Sequence, residues 1–394
     1  MAHGGEGIAD APDGRVVFVR DGVPGDVVDA TLAKVKKRWA RADAVEVREP
    51  SPDRVEPTCP AAAAGAGCCD YSHIRPDAQV GFKRDILLGQ LGALSAHSGV
   101  LAGFDFDHLE MAQLDPPTGW RTRVRLGIDS RGRAGMRRAR SADVVASTVC
   151  TQPVPGLLHD IVGEDARAFA PGAELVVARD ANGQRHVVQT HAAQRGRRVE
   201  AVQRVLEGDG KVVERVRGFD FVFPPTAFWQ AHVQAPEAYS DTIADWGRGE
   251  YATPVGWDLY GGVGAFVPAI SDALGGGAVE SVDYSDAAAA REQQVTDAFN
   301  VRMHHGDVAS TVSQLPKPGL VVLDPPRAGA GQDVVDAIAD AAPQRVIHVG
   351  CDPATFARDL AGFGKRGYAV TRLKLIDAFP STHHFEVIAA LERA

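Results

Sequence analysis

Beyond Phe219 the chain alternates short apolar runs with longer helical stretches, and this limits the possible fold more than any other feature. The runs VGWDLY, AVESVDY, LVVLD, RVIHVG and FEVIAALER each have the length of a strand, and a helical stretch runs from Ser285 toward Asn300. Continuous apolar strands are buried on both faces, which predicts a parallel sheet covered by helices on either side. Ligands of such sheets bind at the carboxyl ends of the strands, so the residues following each run are the first candidates for a site.

The rest of the chain reads differently. Residues 1 to about 55 alternate β-rich runs (VVFV, VVDATLAKV, ADAVEV) with Gly, Pro and Asp turns, the pattern of a small β-barrel. Residues 56–218 open with a Pro-, Ala- and Gly-rich loop carrying three cysteines. An amphipathic helix is predicted from about Phe82 to Ser95, and short strands of undetermined order follow. A length of 394 residues supports a division into 1–55, 56–218 and 219–394. No apolar run has the length a bilayer requires, and MAHGGEGIADAPDGR lacks the basic start and apolar stretch of a secretory signal. The default expectations are no membrane, cytoplasm and a monomer.

A net charge of -9 argues mildly against a nucleic-acid partner, but distribution matters more than the total. Between Arg121 and Arg140, RTRVRLGIDSRGRAGMRRAR holds eight arginines and a single acid, Asp129, and KVKKRWAR from Lys34 to Arg41 interleaves an aromatic. Each is either a solvated face or an RNA contact. The five cysteines are unevenly spread: Cys59, Cys68 and Cys69 cluster, Cys150 stands alone, and Cys351 lies far downstream. In a cytosolic chain that pattern points to metal ligation or catalysis before disulfides.

Four segments at predicted strand ends carry chemistry. In WDLYGGVGAF a strand ends in a glycine turn, through which the backbone can pass close beneath a ligand, and one strand later SVDYS places Asp283 where a carboxylate can accept from ribose hydroxyls. Neither a Gly-x-Gly-x-x-Gly pattern nor a Walker loop is present, which favours a methyl donor over NAD or ATP. LDPPRAGAG presents Asp324 after an apolar strand, with Arg327 near it, or is only a strand terminator. In VIHVGCDPATFARDL, Cys351 precedes a helix predicted from near Pro353 with Asp352 as N-cap, a position expected to lower a thiol pKa. DAFPSTHHFEVIAAL carries Glu386 into the last strand, as rim decoration or, beside a nucleophilic cysteine, as a general base.

Together these segments resemble the RNA 5-methyluridine methyltransferase family over nearly the whole chain. The resemblance implies an OB-like TRAM barrel (HGGEGIA, GRVVFV, PGDVV), a mixed α+β central domain and a C-terminal Rossmann-like α/β methyltransferase domain. FWQAH implies Gln230 at the S-adenosylmethionine site, DLYGGVG implies Tyr260 there, SVDYS implies Asp283 at the ribose, and DPPRAG implies Asp324 near the methionine end and the target base. GCDPATFARDL implies Cys351 as nucleophile and FPSTHHFE implies Glu386 as base. The resemblance implies Cys59, Cys68, Cys69 and Cys150 as the four ligands of the family's [4Fe-4S] cluster, with a zinc site or free thiols as alternatives. The chain departs from the family in having Asp rather than Glu at 283, Gly261 where many relatives have Cys, and Cys68 and Cys69 adjacent.

The implied reaction is methylation of uridine C5 in rRNA or tRNA through a covalent bond from Cys351 to C6, on a flipped or single-stranded base. Cytosine-C5 methylation of RNA uses the same covalent logic. An RNA-binding or RNA-folding protein with a vestigial catalytic domain is the non-enzymatic alternative.

Overall fold

A computed structural model of the chain describes residues 1–95, 98–195, 198–285 and 294–393. Its centre is an eight-stranded sheet. In spatial order the strands are Val301–His305, Ala278–Asp283, Val255–Leu259, Leu320–Leu323, Arg345–Gly350, Glu386–Arg393, Tyr368–Asp377 and Glu110–Gln113. The first five are parallel, as expected, and Glu386–Arg393 runs antiparallel between its two neighbours.

Successive residues of each strand feed opposite cores. Trp257, Leu259, Val321 and Leu323 pack with helices Pro76–Ser95, Gln332–Ala341 and Pro353–Lys365 on one face. Leu320, Val322 and Ile347 pack with helices Ala235–Gly247 and Val267–Ala273 on the other. Full burial of one such aliphatic side chain contributes about 1.5–3 kcal/mol, so the two layers hold the strand ends in fixed register. Of the helix expected from Ser285 toward Asn300, residues 286–293 lie outside the described residues, and a short helix is observed over Gln294–Ala298.

The stretch 56–218 is not separate from this sheet. Its helix, observed over Pro76–Ser95, packs on Pro353–Lys365, and its strand Glu110–Gln113 extends the sheet in parallel beside Tyr368–Asp377. A fully buried ion pair from Lys83 Nζ to Asp377 Oδ1 (2.7 Å) locks that helix to the sheet. The remainder forms a six-stranded antiparallel sheet with its own core around Leu126, Leu157, Leu175 and Val177. Residues 7–49 form a four-stranded sheet in the order Gly7–Asp10, Val16–Arg20, Trp39–Glu49, Val27–Val35. Repeated register shifts between its last two strands bend this small module.

The arginine-rich stretch is largely paired internally. Arg123 pairs with Glu214 (2.8 Å), Arg125 and Arg137 with Glu174 (3.0 and 2.8 Å), Arg133 with Asp129 (2.8 Å) and Arg140 with Glu6 (3.0 Å). Six of its arginines (Arg125, Arg131, Arg133, Arg137, Arg138 and Arg140) remain exposed, so the stretch stands open to both readings, solvated face and RNA contact, with much of its charge paired. Lys34, Lys36, Lys37 and Arg38 are exposed around Trp39, with Lys34 and Arg41 each 5.8 Å from its ring centre.

Candidate active site and cysteine centre

The carboxyl ends of the central strands bring the candidate residues to one edge. Leu259 passes into Tyr260, whose backbone sits in the left-handed region (φ 62°), and the turn continues through Gly262 (φ 58°) and Gly264 (φ 86°). Such a turn favours glycine, and a Cβ on Gly262 would meet no atom, so the turn is open on that side. Asp283 supports it from the next strand, accepting from Gly262 N–H (2.9 Å) and Ser285 N–H (2.6 Å). Burial raises the half-buried Tyr260 phenol to about 12, with the charges of Asp359 and Asp307 adding to it.

Behind the turn stands a group that the motif reading missed. Asp258 is 1% exposed and accepts one hydrogen bond, from Ser281 Oγ at 2.8 Å, while its Oδ1 has no protein partner. Burial pushes it up to about 7, with Asp283 adding to the rise against the Ser281 hydrogen bond. The signal was a charged residue inside the apolar run VGWDL. Gly261 is required here, because a Cβ would lie 2.3 Å from Asp258 Oδ2 and 2.5 Å from Ser281 Oγ. A cysteine at 261 is therefore incompatible with this Asp258–Ser281 pair.

Asp324 follows Leu323 directly, and burial followed by the charge of Asp258 lifts it to about 7. Gln230 Nε2 reaches it at 3.4 Å. Glu386, 3% exposed at the start of the last strand, has its Oε2 unpartnered, and burial with the charge of Asp324 holds it well above the ordinary carboxyl range against the opposing pull of Arg327.

Cys351 follows the strand Arg345–Gly350 and precedes the helix Pro353–Lys365, whose N-cap Asp352 accepts from Ala354 N–H (3.1 Å) and Thr355 N–H (2.9 Å). The cap matches expectation and the thiol does not. Burial, then the charges of Glu386 and Asp324, push Cys351 up to about 12, with Arg327 opposing. A helix N-terminus favours a thiolate by roughly 1 kcal/mol, which burial beside two carboxyls outweighs. Neutralising those carboxyls or adding a cation lowers the thiol pKa again, against the burial that remains.

The other cysteines meet elsewhere. The Sγ atoms of Cys59, Cys68, Cys69 and Cys150 all lie within 4.8 Å of one another, with 3.9 Å from Cys59 to Cys68, 3.8 Å from Cys59 to Cys150 and 3.5 Å from Cys69 to Cys150. Gln152 donates its backbone N–H to Cys150 Sγ (3.5 Å) and its side-chain amide to Cys68 O (2.5 Å). Arg121, donating to Gln152 Oε1 (3.1 Å), faces the sulfurs from within the protein, where burial depresses its pKa and the cysteines raise it. Four convergent soft donors beside a half-buried cation fit a thiolate-bound metal group.

The fold and site define a class: a doubly wound α/β protein whose strand ends gather a cysteine, several buried carboxyls and an open glycine turn. The sequence model of the tRNA (uracil-5-)-methyltransferase family matches residues 295–394, and that of the TRAM domain matches residues 2–45. An uncharacterized RNA methyltransferase of Corynebacterium glutamicum is 49% identical over 399 residues, covering 100% of this chain and 95% of the relative. One from Streptomyces avermitilis is 36% identical over 425 residues, covering 100% and 96%. Among solved structures, the tRNA (uracil-54, C5)-methyltransferase of Pyrococcus abyssi, in complex with S-adenosyl-L-homocysteine, superposes with a TM-score of 0.71 at 21% identity, covering 98% of this chain and 99% of that one, which establishes the shared fold. The chain belongs to this RNA methyltransferase family.

Proposed function

We propose that the chain methylates C5 of a uridine in RNA, with Cys351 as nucleophile and Glu386 as the base that removes the C5 proton. The observation that carries this is the convergence of Cys351, Asp324 and Glu386 at one edge of the sheet, where the charges of Glu386 and Asp324 raise Cys351 and that of Asp324 raises Glu386. Bound S-adenosylmethionine supplies an electrophilic methyl group on a sulfonium. The open turn at Gly262, Tyr260, Asp283 and the unpartnered oxygen of Asp258 would hold it, together with Gln230 and Asp324. The cationic donor also fits the site's electrostatics, since opposite charge lowers the pKa of buried carboxyls and of a thiol.

Uracil C5 is a weak nucleophile, and Cys351 overcomes this. Its thiolate forms a bond to C6, and the C5–C6 electron pair moves to an enolate that makes C5 nucleophilic. After C5 has gained its methyl group, the Glu386 carboxylate takes the C5 proton. The electrons of that C–H bond restore the C5–C6 double bond and expel the Cys351 sulfur. Glu386 is suited to this role because its Oε2 is buried and without a protein partner. The exposed Lys34, Lys36, Lys37 and Arg38 around Trp39 supply phosphate and stacking contacts, on either rRNA or tRNA.

The four cysteines Cys59, Cys68, Cys69 and Cys150 hold a metal group. A [4Fe-4S] cluster is one candidate. A single zinc ion is the alternative, whose metal–sulfur bonds of about 2.3 Å set tetrahedral edges of roughly 3.8 Å, near the 3.5–3.9 Å of three of the Sγ pairs. Metal analysis of anaerobically purified protein separates iron from zinc. The reaction is tested with labelled methyl donor and RNA lacking the modification, followed by digestion to nucleosides. Labelled 5-methyluridine, lost in Cys351→Ala, is expected. Labelled 5-methylcytidine would mean the sibling chemistry, and RNA binding without label would mean a non-catalytic protein.

A further inference from the structure

Asp70 lies between the cysteine centre and the C-terminal motif, and neither role assigned so far uses it. It follows Cys69 directly, and its two carboxylate oxygens both reach His383: Oδ1 accepts from the backbone N–H at 3.1 Å, and Oδ2 engages the ring Nδ1. The next residue continues the seam, with Tyr71 N–H donating to Ser381 O at 3.0 Å, while Ser381 N–H donates to Gln79 Oε1 at 2.9 Å. His383 stands three residues before Glu386 in the chain. The ladder of the last strand begins at Glu386, so the segment before it depends on such side contacts for its position.

The N-terminal segment closes over the same place. A Cβ on Gly5 would lie 3.0 Å from Asp70 Oδ2 and 3.3 Å from His383 Cβ, and His3 Nε2 contacts Asp352, the cap beside Cys351, at 3.0 Å. The cysteine loop, the segment entering Glu386 and the cap of the Cys351 helix are thus joined through a few polar contacts.

We propose that Asp70 is a positioning residue for the proton-removal step: it couples the ordered cysteine loop to His383 and so fixes Glu386 against the C5 proton. This rests on the reading of Glu386 as base. In that step the C5–H bond breaks, its proton passes to Glu386, and the bond from C6 to the Cys351 sulfur breaks as the double bond returns. Displacement of Glu386 therefore slows release of the covalent adduct while leaving its formation intact. Loss of a charge-assisted hydrogen bond of about 1.5–3 kcal/mol corresponds to roughly a 10- to 100-fold effect.

The test uses the full chain with labelled RNA and S-adenosylmethionine, comparing wild type, Asp70→Ala, His383→Ala and Glu386→Gln. Three quantities are read: turnover, the RNA-bound protein fraction on a denaturing gel, and metal content. Asp70→Ala and His383→Ala are expected to lose about 10- to 100-fold in turnover, accumulate the adduct as Glu386→Gln does, and keep wild-type metal. His383→Ala changes no residue of the cysteine loop and keeps the backbone N–H to Asp70 Oδ1, so it decides the matter where Asp70→Ala folds poorly. Unchanged turnover in His383→Ala, or lost turnover without adduct, overturns the coupling. Absence of adduct in Glu386→Gln itself overturns the reading of the base, and the proposal with it.

Discussion

Asp258→Asn should make the protein more stable at neutral and alkaline pH. The Asp258 carboxyl is raised from 3.8 to about 7 in the folded chain, chiefly by burial. Between about pH 4 and pH 7 the unfolded chain has released this proton while the folded chain keeps it, so the folded state binds more protons and stability falls as pH rises, levelling above about pH 7. A difference of about 3 pH units at 1.36 kcal/mol each corresponds to about 4 kcal/mol. Asparagine keeps an acceptor for Ser281 Oγ and has no charge to bury, so the variant gains up to that amount at about pH 8 and little near pH 4. At about 2–4 °C per kcal/mol for a domain of 150–250 residues, the shift is on the order of 10 °C. Thermal unfolding of both proteins across this range measures it. Parallel pH curves for wild type and variant would refute the reasoning, because they would mean that Asp258 ionises equally in both states. The same substitution should raise the KM for the methyl donor, since the unpartnered oxygen loses its charge.

Three further outcomes follow from the geometry. Lys83→Ala leaves Asp377 charged and unpaired in the interior and should cost about 3–5 kcal/mol in chemical denaturation. Gly261→Ala should raise the methyl-donor KM and destabilise by roughly 1–3 kcal/mol, because its Cβ displaces the Asp258–Ser281 pair; equal KM values would place that pair away from the donor. Cys150→Ser should release the bound metal and expose the 56–75 loop to proteolysis, and retained metal by elemental analysis would contradict a four-thiolate centre.

Much of the sheet was legible because its central strands are apolar on both faces, as in LVVL and RVIHVG. Tyr368–Asp377 was not, since Arg372 and Lys374 break the apolar run while still lying in the ladder and Thr371 sits at a register shift. Glu110–Gln113 is only four residues long, and its partner is distant in sequence, so no local pattern reports it. The cap at Asp352 was legible because capping is local chemistry. The thiol pKa of Cys351 was not, because it depends on burial and then on Glu386 and Asp324, which arrive from other strands. The ion pairs of the arginine stretch were not legible for the same reason: the carboxylate partners Glu174, Glu214 and Glu6 lie far away in the chain.

The covalent role of Cys351 is tested most directly with RNA carrying 5-fluorouridine, in which C5 holds no proton for Glu386 to remove. Incubation with S-adenosylmethionine followed by proteolysis and mass spectrometry should yield a methylated fluorouridine bound through C6 to the peptide containing Cys351. No covalent complex, or one attached at a different residue, would contradict the account.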